Sequence, residues 1–385
     1  MAQFRMRIIL SPLCVVILIV VCITFHRRRP LFDAQVCLGL RKSPTDCLQC
    51  LGLPAQSYNY TVTPDERDFP LSYSILVYAN PERAARLLAA IYRPHNFYCI
   101  HVDRKSSLGI VDLIKLYGQC FDSNVFFVPD EHRTTVRWGY FSVLEPEFTC
   151  TRLLLQRSGK WKYWINLTGQ EFPLRTNLEL VLALKALNGT NVVRATYKYR
   201  NMERIPPRSA KSQNIVWYKG QVHVAVRREF VDYMLNNDKA IRLLDELKEY
   251  ESRERSEIIP DETFFATLNH NPDVFPIPGA VLHVNETETG SELIRYKVWN
   301  YGETPCYSGQ AVRNICMLGT LDLPYLFQSP AFFANKFIPQ VEPAAYAAME
   351  LWLALKCSHE SLHHAPHATF DQDYYARKPI AWDHL

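Results

Sequence analysis

The chain of 385 residues carries little charge imbalance: its formal net charge is +4, and no lysine-arginine run exceeds Arg27-Arg28-Arg29. It lacks the basic face that would follow a phosphate backbone, so nucleic acid is excluded as a partner. No internal repeat is visible, and no paired CxxC zinc pattern exists, Cys47-Leu48-Gln49-Cys50 standing alone. Asp-x-Asp occurs once, as Asp371-Gln372-Asp373, in a tail that from His359 onward is rich in His and aromatic residues without clear periodicity. His363, His364 and His367 in that tail have no carboxylate or cysteine nearby to complete a metal set.

What is present begins with an apolar run, Ile8 to Phe25, interrupted by Ser11, Pro12 and Thr24 and about the length needed to cross a bilayer. A cleaved signal peptide is the competing reading, but the run is long and no small-x-small site follows it cleanly. The run is read as an uncleaved anchor. Arg5 and Arg7 before it and His26-Arg27-Arg28-Arg29 after it give an ambiguous positive-inside signal. Two of the eleven cysteines, Cys14 and Cys22, lie in the span, and the remainder suit an oxidising lumen. Four Asn-x-Ser/Thr sequons, at Asn59, Asn166, Asn188 and Asn285, agree with a lumenal location. The expectation is a single-pass type II protein: cytoplasmic tail 1–7, signal-anchor 8–25, lumenal stem 26–67 tied down by Cys37, Cys47 and Cys50, and one lumenal domain, 68–385.

The domain opens with a buried-strand pattern, Tyr73 to Tyr78, followed by a helix with Pro81-Glu82-Arg83 in its first turn and Ala84, Leu87, Leu88 and Ile91 on its apolar face. A second strand, Phe97 to Val102, ends at Asp103. Strand, helix, strand starts a parallel α/β sheet. Asn124–Val128 and Trp161–Leu167 read as further strands, Val143–Leu155 as a helix, and 236–253 as a solvated amphipathic helix.

Candidate chemistry falls at four places. Asp103 lies at a strand's carboxyl end, where α/β sheets bind ligands and a carboxylate can hold a ribose or a base. Pro260-Asp261-Glu262 predicts a helix start capped by Asp261, with Glu262 ionised in the first turn and able to act as a general base. Arg313, expected in a strand, and Lys336, between Phe333 and Phe337, are cations in apolar company that could meet the charge of a diphosphate without a metal. Trp299 and Tyr301, two apart, read equally as a sugar-stacking platform and as core.

Taken in order, Phe69–Ile75, Phe97–Ser106, Trp161–Leu167, Phe172–Asn177, Pro260-Asp261-Glu262 and Phe333–Phe337 resemble the core-2/I-branching β-1,6-N-acetylglucosaminyltransferases over residues 68 to 340. The resemblance implies a GT-A-like α/β glycosyltransferase fold with a Rossmann-like parallel sheet, a type II Golgi anchor, a UDP-sugar donor, inversion, and no metal or other cofactor. It makes Glu262 the base, Arg313 and Lys336 the diphosphate clamp, Val77 and Asp103 the uridine contacts, and Trp299 and Tyr301 acceptor contacts. Its disulfides would map as Cys99 with Cys150, Cys306 with Cys316, and Cys120 with a stem cysteine, Cys50. The implied partners are a UDP-sugar, an O-glycan glycoprotein acceptor and the Golgi membrane, with N-acetylglucosamine or glucose transferred in β-1,6 linkage.

Departures concern substrate. Asn191-Val192-Val193-Arg194-Ala195-Thr196 has no carboxylate where branching enzymes carry an acidic acceptor-binding stretch, Ile338 stands where Asp is usual, and Ala348 near a missing cysteine leaves Cys357 as its substitute. Trp138-Gly139 and Phe264-Phe265 are closer to peptide O-xylosyltransferases, the runner-up reading. An inactive lumenal carbohydrate-binding relative is the alternative from another class.

Overall fold

The apolar segments expected as strands pair into one sheet. In the computed structural model, which describes residues 34–39, 43–207, 214–284, 286 and 291–385, they are β1 (Leu71–Val77), β2 (Phe97–Val102), β3 (Val125–Phe127) and β4 (Tyr163–Thr168). The next two strands are β5 (Glu171–Pro173) and β6 (Ala225–Arg227). The main sheet has the order β3-β2-β1-β4-β6, parallel except for β6 against β4. Helices Pro81–Ile91, Leu108–Gly118 and Glu145–Arg157 make the crossovers. Because the chain leaves β1 toward β2 and β3 and then returns to its other side as β4, a switch point opens beyond the carboxyl ends of β1 and β4, where such sheets bind ligands.

Alternation along the strands builds two cores. Tyr73, Ile75, Val77, Ile100, Val102, Ile165 and Leu167 pack with Leu87 and Leu88 on one face, and Cys99 and Trp164 pack with Phe148, Phe264 and Phe265 on the other. The second face also buries Ser74 and Asn166, which are satisfied through Glu147. Ser74 Oγ and Asn166 Nδ2 (3.2 Å) donate to that carboxyl, Trp164 Nε1 donates to Ser74 Oγ (3.2 Å), and the Val224 N–H donates to Asn166 Oδ1 (2.8 Å). Burial pushes the Glu147 carboxyl up to about 8.

Later strands are β7 (Arg295–Tyr296), β8 (Ala311–Val312), β9 (Ile315–Cys316) and β10 (Phe333–Asn335). Strands β5, β10 and β7 form a second sheet, and β8 and β9 form a hairpin. Glu171 in β5 joins the two sheets. Its fully buried carboxylate accepts from the Thr168 N–H at the end of β4 (3.3 Å) and from Asn335 Nδ2 of β10 (3.2 Å), and pairs with Arg295 Nη2 of β7 (3.3 Å). The Arg295 guanidinium also donates to the Asn166 carbonyl and lies 4.7 Å from the Phe333 ring centre.

Several expectations need correction. The segment from Ser43 is not a separate stem: Cys47, Leu48 and Tyr58 enter the first core, and the Thr63–Glu66 capping box docks through Glu66 Oε1, which accepts from Asn177 Nδ2 (2.8 Å). Cys120 therefore bonds the inward-facing Cys47, and Cys50 bonds Cys37. Cys306 and Cys316 pair as expected. Cys99 on β2 and Cys150 on the facing helix are buried and not bonded to each other, and Cys357 is also free.

Of the sequons, Asn59 and Asn188 are exposed. Asn166, buried in β4 with its amide nitrogen donating to Glu147 and to the Val222 carbonyl (2.7 Å), has no room for a glycan. Asn285 lies outside the described residues, as does the expected anchor, 8–25. Among the described residues no helix is long and apolar enough to cross a membrane.

The tail folds as helix Pro343–His363, which packs Tyr346, Met349 and Leu353 into the first core and sets Glu350 against Arg86 in a two-toothed ion pair of 2.8 and 2.6 Å. Its pattern escapes a reading that starts at His359, because most of its apolar face precedes that residue. Asp371 accepts from the Tyr374 N–H (3.1 Å) and pairs with Arg377 (3.2 Å), so it serves as a helix cap.

Truncating Glu171 to Ala should lower unfolding stability by about 3–5 kcal/mol, since Arg295 is left charged and unpaired in the interior. Urea unfolding followed by far-UV circular dichroism checks this. A loss below about 1 kcal/mol, within the ordinary range for surface substitutions and weak contacts, would show that the junction does not depend on this carboxylate.

Candidate active site

Glu262 does not sit in the first turn of a helix. It closes a 3₁₀ turn, Pro260–Glu262, and the helix proper, Phe264–Asn269, begins two residues later. Asp261 makes no capping bond; it is buried, its Oδ1 has no hydrogen-bond partner, and burial and then the Glu262 charge push its carboxyl up to about 7. The turn is held from both sides. Ile259 adopts φ 48°, an outlier for a β-branched residue, with its N–H on the Gly139 carbonyl (2.9 Å). On the other side the Gly220 N–H donates to the Glu262 carbonyl; a Cβ at Gly220 would strike the Arg194 carbonyl and sit 2.8 Å from Ala266 Cβ. Phe264 and Phe265 are fully buried, so they anchor the turn as core.

The Glu262 side chain is about one-third exposed, with Oε2 3.2 Å from Arg204 Nη1 and 4.0 Å from Lys219 Nζ. Lys297, which donates to Gln221 Oε1 (3.0 Å), is pushed down to about 7 by burial and then by Arg295.

Arg313 is not in a strand. With Asn314 it forms the two-residue tip of the β8–β9 hairpin, at φ 51° and 63°, the left-handed pair that a tight hairpin turn requires. The Cys306–Cys316 disulfide pins the hairpin base, and the guanidinium lies 4.3 Å from the Trp138 ring centre. Lys336 follows β10 and reaches the same hairpin, its Nζ donating to the Val312 carbonyl (3.1 Å). Burial, then Arg313 and Arg83, push Lys336 down to about 8. The expected clamp is thus brought together and gains a third member, Arg83, buried in the first turn of helix Pro81–Ile91 with Nε on the Gly169 carbonyl.

Val77 and Asp103 lie side by side at the carboxyl edge, the Asp103 N–H donating to the Val77 carbonyl (2.8 Å). Asp103 Oδ1 accepts from the Lys105 N–H (2.9 Å), which closes the turn after β2. That turn contacts the loop leading to Trp138 through the Arg104 N–H on the Thr134 carbonyl (3.0 Å). Trp299 and Tyr301 stack on each other with centroids 5.5 Å apart, and Trp299 bridges Ile315 of the Arg313 hairpin. Tyr301 is largely exposed, so the pair offers a ring face to solvent. One chain of contacts therefore runs from Arg313 over Trp138 to the Gly139 carbonyl, Ile259 and Glu262.

Arg83, Arg204, Lys219 and Lys297 were invisible as site residues in the sequence. Arg83 carried a signal, since it lies in the first turn after β1; the other three come from loops and short turns with no period. Among the described residues no group of three His, Cys, Asp or Glu could hold a metal. The His359 ring packs on His363 and His367 at 4.4 and 5.0 Å between centroids.

Removing a proton from an incoming hydroxyl while fixed cations receive a departing diphosphate is the work of a glycosyltransferase, and a carboxylate and a set of cations are the side chains that such chemistry needs. Residues 71–326 match the profile of the Core-2/I-Branching enzyme family. A Danio rerio protein named beta-1,3-galactosyl-O-glycosyl-glycoprotein beta-1,6-N-acetylglucosaminyltransferase 4 is 31% identical over 318 residues, covering 75% of this chain and 71% of its own length. The Bos taurus enzyme of that name numbered 3 is 32% identical over 324 residues, 77% of this chain and 70% of its own. The chain belongs to the core-2/I-branching enzyme family. Among solved structures, the mannosyltransferase Ktr4p from S. cerevisiae aligns over 65% of this chain and 81% of its own with a TM-score of 0.31 and 11% identity, a likeness too slight to bear on the fold.

With Lys336 pushed down to about 8, UDP affinity should fall as pH rises through that value and the ammonium loses its proton. The sign follows from the charged form being the one that binds a diphosphate. Calorimetry from pH 6.5 to 9.5 should show proton uptake on UDP binding in the upper half of that range, and Lys336→Arg should abolish the dependence. A flat pH profile for the wild type would place the diphosphate elsewhere.

Proposed function

We propose that the protein is an inverting, metal-independent transferase of the Golgi lumen that moves N-acetylglucosamine from UDP-N-acetylglucosamine to O6 of an O-glycan sugar on a glycoprotein. The observation that supports this reading is the contact chain just described, which links the turn carrying Glu262 to the Arg313 hairpin that Lys336 also reaches. The names of the relatives supply the donor and linkage. A type II anchor at 8–25 accounts for lumenal placement and for exposed sequons at Asn59 and Asn188.

In this reaction a Glu262 carboxylate oxygen takes the O6 proton as that oxygen attacks the anomeric carbon from the face opposite the diphosphate. The bond from carbon to phosphate oxygen breaks, and its electron pair leaves with UDP. A single displacement inverts the centre. UDP departs as an anion, so no acid is needed; Arg313, Lys336 and Arg83 meet the charge that develops on it. Asp103 offers one carboxylate with Arg104 and Lys105 directly after it, a poor donor set for a divalent ion, which supports cations as the counter-charge. Val77 and Asp103 face the nucleoside, and Trp299 and Tyr301 face the acceptor sugar.

The peptide O-xylosyltransferase reading loses one of its supports, because Phe264 and Phe265 are core residues and Trp138 is engaged with Arg313.

Glu262→Gln should lower turnover by about two orders of magnitude or more while UDP still binds. Turnover within a few-fold of wild type would remove the base assignment. Activity should also persist in excess EDTA; its abolition with rescue by manganese would mean that the diphosphate is held by metal.

A further inference from the structure

The cleft at Glu262 holds more positive charge than proton abstraction uses. Beyond Glu262 its walls carry Arg200, Arg204 and Lys219, with Tyr218 between them, around a small cavity of about 10 Å³, and Glu262 is the one carboxylate among the lining residues. Arg204 and Lys219 both lean on that carboxylate at 3.2 and 4.0 Å. Arg200 has no carboxylate partner among the described residues: its guanidinium stacks 3.3 Å from the Tyr197 ring centre and gives Nη1 to the Tyr197 carbonyl (2.7 Å). Glu286, also on this side, is occupied by Thr196 Oγ1 (2.7 Å) and the Tyr197 N–H (2.6 Å).

This arrangement is at odds with a neutral acceptor. The Arg204 guanidinium occupies one oxygen of the carboxylate that a hydroxyl would have to reach. A second anion entering the cleft would compete for Arg204 and leave Glu262 free to take the hydroxyl proton. The segment Asn191–Thr196, which borders the cleft through the Thr196–Lys219 bridge, adds Arg194 and no carboxylate to this side.

Resting on the reading of Glu262 as the base, we propose that the acceptor glycan carries an anionic substituent, a carboxylate or a sulfate ester, close to its accepting hydroxyl. Arg200, Arg204 and Lys219 bind that group, and its arrival draws Arg204 off Glu262. Specificity and activation are then one event: a neutral acceptor meets a base that is still paired, and a charged one releases it.

The test is calorimetric binding, without donor, of three matched acceptors to the lumenal protein: a neutral O-glycan disaccharide, its sulfate ester and its sialylated form. The charged forms should bind about tenfold or more tighter, the scale of one charge-assisted contact. That preference should shrink as salt is raised from 50 to 500 mM, as expected for partly exposed charges. Arg200→Gln should bring the charged-to-neutral ratio close to one, and Arg200→Lys should keep most of it. The two charged arms separate sulfate from carboxylate as the source of the anion. Equal binding of all three, or no binding by any up to about 10 mM, the weak end of the affinity scale, overturns the proposal. Turnover with UDP-N-acetylglucosamine is measured beside it: an intact charge preference with no transfer to any acceptor would count against the transferase reading alone, and transfer with equal binding would count against the anionic acceptor alone.

Discussion

The buried Glu171 carboxylate fixes the relation between the parts of this site. The parallel sheet supplies the crevice, but Lys336, Arg313 and the Trp299–Tyr301 pair all hang from a second, much smaller sheet that could not hold its position by area alone. Glu171 ties the end of β4 to β10 and β7 in one polar knot. Burial raises the pKa of Glu171 and lowers that of Arg295, so each ion depends on the other to stay charged in the interior. Such a pair adds little net stability over an apolar substitute, yet it is costly to break from one side, which makes it a device for register more than for strength. Its place directly opposite Asn335, the residue before Lys336, is what aims the lysine at the β8–β9 hairpin.

Three of the seven non-glycine residues with left-handed backbone among the described residues, Ile259, Arg313 and Asn314, lie beside the Glu262 turn or at the β8–β9 hairpin tip. Each is held by neighbours: Ile259 by the Gly139 carbonyl, Arg313 by Trp138 and a disulfide-closed hairpin, Asn314 by the Asn300 N–H on its carbonyl (3.0 Å). Outliers persist only where surrounding structure over-determines them, and here they place a carboxylate and a guanidinium at opposite ends of one contact chain. Burial first, and neighbouring guanidinium groups second, push Lys297 and Lys336 below the ordinary lysine range. A dianionic leaving group is what such a field suits.

Much of this was legible in the chain. The α/β class, the four parallel strands and the helix after β1 follow from period and burial of side chains near in sequence, and the structure reproduces them within a few residues. Glu262 and Lys336 stand in motifs that follow family order with Arg313 between them, but the helix start expected at Glu262 is a 3₁₀ turn and the strand expected at Arg313 is a hairpin tip. A 3₁₀ turn and a left-handed hairpin tip have no periodicity, and Pro260 followed by two acids is equally compatible with a capped helix. The disulfides failed differently: Cys47 and Cys50 are three residues apart on one short helix, and which of them faces Cys120 depends on how that helix docks.

The sequence by itself determined the elements, because hydrophobic period and turn residues act over a few neighbours, and it determined the family, because the motifs stand in one order along the chain. Only the tertiary structure decided which charges meet. Glu262 faces Arg204 and Lys219, drawn from positions 58 and 43 residues earlier, and Glu171 meets Arg295 across 124 residues. Asn166 carries a sequence signal for a glycan and is consumed by the core instead. These outcomes depend on packing between sheets and on burial, where the cost of an unpaired polar group selects one partner among many. No local pattern encodes that choice.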